Sequence, residues 1–250
     1  MLLVAMLGAA GCGVFNTVTG SGVAESRDFD LSGFSAVQGE AAFEIQLIRA
    51  DSYSVRVTAD DNLWNVLDIK VTDSTLHLGF KSGVAALNTT LKASVTMPGL
   101  STLDLSGASR ATVSGFSSGN NVKLTLSGAS QIDIQDIETG DVSFDISGAG
   151  NVTGSMTFAQ GQFVVSGGGM VNLGGSGTSA AINASGGSTV DLDQLAVQSA
   201  RATGSGGATI RVNAQNITRA DLSGGARLFY VGDPVISNVS TSGGAVISPE

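Results

Sequence analysis

The sequence predicts an all-β chain wound as a right-handed parallel β-helix with coils of about 20 residues. Three observations carry this reading. First, a strand followed by Ser-Gly and small residues recurs eight times: LDLSGAS at 103–109, LTLSGAS at 124–130, FDISGAG at 144–150, FVVSGGG at 163–169, INASGGS at 182–188, ATGSGGA at 202–208, ADLSGGA at 220–226 and VSTSGGA at 239–245. The serines, from Ser106 to Ser242, are spaced 21, 20, 19, 19, 20, 18 and 19 residues apart. Second, apolar and polar columns alternate around each serine. The position before it is mostly apolar (Leu105, Leu126, Ile146, Val165), as is the third before it (Leu103, Leu124, Phe144, Phe163). Between them runs Asp104, Thr125, Asp145, Val164, Asn183, Thr203, Asp221 and Ser240. This is the period of a strand with one buried face, and it resumes after the corner, where Ala111, Ile132, Val152 and Val171 precede Thr112, Asp133, Thr153 and Asn172. Third, 35 of 250 residues are Gly and only 3 are Pro, and a Gly follows every repeat serine. A crowded corner between stacked coils requires such a column. Hairpin turns would favour Asn-Gly or Asp-Gly, and neither dipeptide occurs. The hand follows from the rule for parallel crossovers.

Composition narrows the function. With Lys+Arg at 12 against Asp+Glu at 21, the net charge of -9 repels phosphate backbones, so no nucleic-acid partner is expected. Cys12 and His77 are the single Cys and His, too few for an internal disulfide or a structural zinc site, and no metal or cofactor is expected.

Taken in order, residues 1–11 (MLLVAMLGAAG) form an apolar run ending in small residues, as in a lipoprotein-type signal peptide. The run is too short to span a bilayer. Ala9-Ala10-Gly11-Cys12 resembles a bacterial lipobox, with Ala9 where leucine is usual, which makes Cys12 the expected lipidation site. Residues 12–26 then read as a flexible polar tether. Residues 27–248 form one head domain, with capping coils at 27–98 and the Ser-Gly repeats at 99–248. In the capping part, alternating strands are separated by turns at Arg49–Ser52 and Thr72–Ser74, with a helical turn from Asn62 to Leu67. The single Trp, Trp64, lies here, as expected of a cap over an open apolar coil.

The run FSAVQGEAAFEIQLIRADSYSVRVTADDNLWNVLDIKVTDSTLHL, followed by LSGAS repeats, resembles the bacterial head GIN domain family, a domain of unknown function labelled an auto-transporter adhesin. The likeness covers about residues 29–248. It implies a β-helix on the bacterial envelope and brings no catalytic residues with it. No membrane barrel follows the repeats up to Glu250, so a lipid anchor at Cys12 is the expected means of display, at the outer membrane.

Candidate chemistry is sparse. Asp104, Asp145 and Asp221 share an outward column, but at least one coil separates any two, which is wide for a pair of hydrolytic carboxylates. Asp191 and Asp193 flank Leu192 and supply too few oxygens for calcium. Asp60-Asp61 reads as a helix cap or turn. His77, between Leu76 and Leu78, projects outward without a nucleophile beside it. The expectation is a non-enzymatic envelope lipoprotein, adhesin-like or a scaffold. Its ligand-binding ladder would be Asp104, Thr125, Asp145, Asn183 and Asp221, with glycans or other cell-surface components as partners. The alternative is a carbohydrate-active enzyme, a polysaccharide lyase or hydrolase, on the same coil.

Overall fold

The computed structural model describes residues 16–250; the signal segment and Cys12 lie outside them. The chain forms a parallel β-helix. On the tier before the corner, Thr102–Leu105 pairs in parallel with Val122–Leu126, which pairs with Val142–Ile146. That strand pairs in turn with the last part of Asn151–Val165. The stack continues through Met170–Ala184, Thr189–Gly204 and Thr209–Leu222 to Val239–Thr241. The tier after the corner begins the repeats at Arg110–Ser114, stacks Gln131–Glu138 on it, and ends with Arg227–Tyr230 and Val246–Pro249.

The alternating columns fall as the sequence predicts. Leu103, Leu124, Phe144, Phe163 and Ile182 are buried in one inward row, and Ala111, Ile132, Val152, Val171 and Val190 in another. Phe144 and Phe163 stack face to face, with ring centroids 4.9 Å apart and an interplanar angle of 8°. Such a pair adds about 0.5–1.5 kcal/mol to the area it buries. In the eighth copy, Val239 and Thr241 are exposed, because among the described residues no strand lies beyond them.

The Ser-Gly corners stack into a column. Gly128 has φ +68, and a Cβ built on it would lie 2.6 Å from the Gly107 carbonyl oxygen. Only glycine meets both demands. Each corner also holds the next: Gly107 O accepts from Ala129 N, Gly128 O from Ala149 N and Gly148 O from Gly168 N, all at 2.8 Å.

The columns do not reveal a second bend. Gly154 has φ +123, and its Cβ would come within 1.9 Å of Ile134 O. Here the ladder slips register, between Ile134 and Ile137, again between Asn172 and Gly175, and again between Leu192 and Ala196. These bulges absorb the differences in coil length. The bend opens a third side, whose inward residues Ile137, Met156 and Leu195 close the core.

The capping part does not stack in chain order. The strands Ala36–Gly39 and Glu44–Arg49 lie directly under the first repeat, pairing with Thr102–Leu105 and Arg110–Ser114. Their other edges carry the later strands Thr75–Phe80 and Leu91–Met97, also in parallel. Beyond these the pairing turns antiparallel. Ser54–Asp60 pairs with Leu91–Met97, Ala24–Phe29 with Ser54–Asp60, and Leu67–Thr72 with Thr75–Phe80. The turn at Thr72–Ser74 is a tight hairpin, with Asp73 and Ser74 both at positive φ. The helical turn expected over Asn62–Leu67 is a single 3-10 turn at Asp61–Leu63. It places Leu63 and Trp64 over the open end of the core, with the Arg27 guanidinium 4.3 Å from the Trp64 ring centroid.

The tether expected over 12–26 is corrected from residue 16 onward. Asn16–Thr19 pairs in parallel with Val84–Leu87, and Ala24–Phe29 is the outermost antiparallel strand. Both strands are largely exposed, so their composition reads as polar linker although their backbones are paired. Asp60 fixes the link between them. Fully buried, it accepts from Gly22 N at 3.0 Å and Thr90 N at 2.8 Å. Asp60 stands at the N-cap position of the 3-10 turn and Asp61 begins it, in line with the cap-or-turn reading, although the Asp60 side chain makes no capping hydrogen bond there. Asp61 accepts from the Ser21 hydroxyl at 2.6 Å.

Candidate functional site

Strand pairing determines which outward residues become neighbours. Asp104 pairs with Thr125, Thr125 with Asp145 and Asp145 with Val164. The row continues through Asn183, Thr203 and Asp221 to Ser240. The five ladder residues inferred from sequence, Asp104, Thr125, Asp145, Asn183 and Asp221, therefore share one register. In the other direction the row extends into the cap through Gln38, His77 and Lys70, a continuation that the repeat alone does not signal. Val164 is the sole apolar member of the whole row.

The acids are not brought to catalytic distance. Thr125 intervenes between Asp104 and Asp145, which puts two strand spacings, about 10 Å, between their strands. Burial pushes the Asp104 carboxyl above its ordinary value, and the Lys123 ammonium pulls it partly back. Asp221 is engaged by Arg219 Nε from its own strand. On the other tier, Asp191 faces Arg211 at 3.4 Å, and Arg211 also reaches Glu250 at 3.1 Å. Asp191 accepts from Asp193 N, so Asp191 is held by a cation and an amide. Among the described residues no cluster of three or more His, Cys, Asp or Glu is arranged to hold a metal. None of their helices is long and apolar enough to cross a membrane.

Two concavities lie beside the ladder and on the opposite tier. One, of about 430 Å³, follows the column two residues upstream of the ladder and is lined by Ser101, Lys123, Asp141, Ser143, Gln160 and Gln162. Its residues are uncharged or balanced, with side-chain amides and hydroxyls in successive rungs. Sequence reading passes over this column because it lacks the strict repeat of the Ser-Gly corner. A second, of about 650 Å³, lies over the capping strands after the corner.

Comparison with known proteins matches residues 33–234 to the family described as "Putative auto-transporter adhesin, head GIN domain". Among curated proteins, none matches the chain. Solved structures share the fold at low identity. A "putative lipid binding protein" from Parabacteroides distasonis is 20% identical, with a TM-score of 0.82 over 94% of this chain and 99% of its own. A "putative adhesin" from Parabacteroides merdae is 17% identical, with a TM-score of 0.83 over 94% and 99%. A "putative adhesin" from Parabacteroides distasonis is 18% identical, with a TM-score of 0.82 over 93% and 100%.

Proposed function

This chain belongs to the head GIN domain family of auto-transporter adhesin type, and from that premise we propose that it is a non-enzymatic envelope protein displaying polar ladders to glycans or other surface components. One observation carries the reading: the outward row from Lys70 to Ser240, in which every rung but that of Val164 presents a polar side chain at the strand spacing. Repeated partners suit such a row, because weak contacts at a fixed pitch add through effective concentration. The adhesin descriptions of two of the structural relatives support the same reading. In this proposal acylated Cys12 anchors the head at the outer membrane. Several acyl chains at about 0.8 kcal/mol per buried methylene suffice for stable attachment. The four residues from Cys12 to Asn16 span at most about 14 Å, so the capped end stays near the bilayer and the repeats extend away from the anchor.

The test is a glycan array together with capture from envelope fractions, comparing the protein with a Thr125→Val, Asn183→Leu double variant. Both positions face outward, so the coil stays intact. At least tenfold weaker binding by the variant is expected; binding that ignores the ladder overturns the reading. Labelled palmitate should enter the protein and be lost on Cys12→Ser.

The raised carboxyl of Asp104 is the one observation that favours a polysaccharide lyase or hydrolase. It lacks a second carboxylate on a neighbouring rung. Polysaccharide turnover abolished by Asp104→Asn or Asp145→Asn would establish that alternative.

A further inference from the structure

Most cations in the described chain sit beside an acid of their own: Arg27 with Glu25, Arg49 with Asp51, Lys70 with Asp68 and Arg219 with Asp221. The groove of about 650 Å³ gathers more cations than acids among its lining residues. It lies across four neighbouring strands, Ser54–Asp60, Leu91–Met97, Glu44–Arg49 and Arg110–Ser114. Register places Thr58, Lys92, Glu44 and Arg110 side by side in one row, and Arg56, Ser94, Gln46 and Thr112 in the next. Each strand buries the alternate residues, among them Val57, Ala93, Ile45 and Ala111, so both rows face solvent.

Three cations, Arg56, Lys92 and Arg110, thus line the groove with one acid, Glu44, while Asp28 stands at the rim beside Arg56, on a protein whose net charge is -9. Glu44 is taken by Lys92 at 3.2 Å. Arg110 donates through Nε to Gln131 at 3.1 Å, and among the described residues its two terminal nitrogens meet no partner. Arg56 reaches Asp28, at the rim, only at 3.6 Å. Gln46, Ser94 and Thr112 lie between the guanidinium groups with no side-chain hydrogen bond among the described residues. A planar guanidinium with two open donors matches a carboxylate, and amide and hydroxyl groups beside it match sugar hydroxyls. The strand pitch of about 4.8 Å is close to the rise per residue of an extended sugar chain, so cations on different strands meet carboxylates on different sugars.

We propose that this groove binds a short acidic oligosaccharide of the uronate type, with Arg110 and Arg56 on its carboxylates and Gln46, Ser94 and Thr112 on its hydroxyls. The proposal rests on the reading of the molecule as a surface-binding protein and names a substrate class and a second face for it.

Calorimetric titration of the protein with tetragalacturonate, neutral galactotetraose and monomeric galacturonate tests it. Tetragalacturonate should bind, weaken as salt is raised, and bind at least tenfold more tightly than either comparison sugar. Arg110→Gln combined with Lys92→Gln should lose at least tenfold, as should Arg56→Gln alone, with unchanged thermal melting. The Thr125→Val, Asn183→Leu variant should bind the acid normally. Equal binding of the neutral tetramer, monomer binding as tight as the tetramer's, indifference to the groove variants, or no binding of tetragalacturonate would each overturn the proposal. If the acid fails to bind while envelope capture through the ladder persists, the groove alone is refuted; if both fail, the display function falls as well.

Discussion

The capping coils and the repeats share the same two tiers of strands but are assembled by opposite rules. From Thr102 onward every pairing is parallel and each coil lies on its predecessor in the chain. Before Pro98 the order is scrambled, and three pairings are antiparallel. The repeats hold 26 of the 35 glycines, and the much shorter cap carries six of the 12 cations. A repeat can stack indefinitely because each corner reproduces the surface that it sits on, whereas a stack left open would offer its edge to other chains. The cap ends that propagation: its outermost strands, Ala24–Phe29 and Leu67–Thr72, carry Glu25, Arg27, Asp28, Asp68 and Lys70. At the other end, residues 234–249 are uncharged, and Val235, Val239 and Val246 are 65%, 53% and 46% exposed. Reversed strand direction, among the described residues, is then a feature of the capped end alone.

The contrast can be broken most forcefully in the repeats. Phe163→Ala removes a ring that stacks on Phe144 and meets Phe158 edge-on at 6.1 Å. A loss of about 3–5 kcal/mol is expected in denaturant melts, with the whole stack unfolding earlier. Gly154→Ala should cost more than about 3 kcal/mol, since the added carbon collides with Ile134 O in a backbone conformation closed to alanine. A variant of wild-type stability would mean that this bend relaxes freely.

Asp60→Ala probes the cap. Two amide donors, Gly22 N and Thr90 N, lose their buried acceptor, at about 2 kcal/mol. Hydrogen exchange should quicken across 16–29 before it changes in the repeats; uniform acceleration would show that the two regions unfold as one. Corner crowding can be graded. The Cβ clearance is 2.6 Å at Gly128 but 3.1 Å at Gly224, both with φ near +67, so alanine should cost about 2 kcal/mol at the first and about 1 at the second. Equal costs would reduce the glycine column to a matter of φ alone.

The smallest effect is at Asp104. Its folded carboxyl titrates above the ordinary value of 3.8, so ionisation works against the fold once pH exceeds the folded pKa. As pH falls through that value toward 3.8 the penalty fades. Asp104→Asn should therefore melt slightly higher than the parent at pH 7, and the gain should vanish below pH 3.8. A gain that persists in acid would implicate something other than charge.

Much of the fold was legible because the repeat broadcasts it. Eight copies set the inward rows, the outward ladder and the glycine corner, and pairing from Asp104 to Ser240 follows that alignment. The second bend was not legible: only Gly154 and Gly175 mark it with strained glycines, and Asp136 takes the positive φ in the preceding coil. Nor does alternation reveal that 36–49 lies beneath 102–114 or that Asn16–Thr19 is paired, because an exposed strand and a linker share one composition. The cationic groove escaped for a related reason. Arg56, Lys92 and Arg110 are scattered along the chain and meet only through the scrambled order of the cap.

That order has a consequence for how the molecule comes into being. The coil at 36–49 is walled by 75–97 on one side and by 102–114 on the other. A polypeptide delivered amino end first cannot close its first core until roughly 114 residues have emerged. Thereafter every further 20 residues or so meets a finished template and can condense on it alone. During synthesis the coils would thus be added to the cap in a single direction, as a crystal lengthens from its seed.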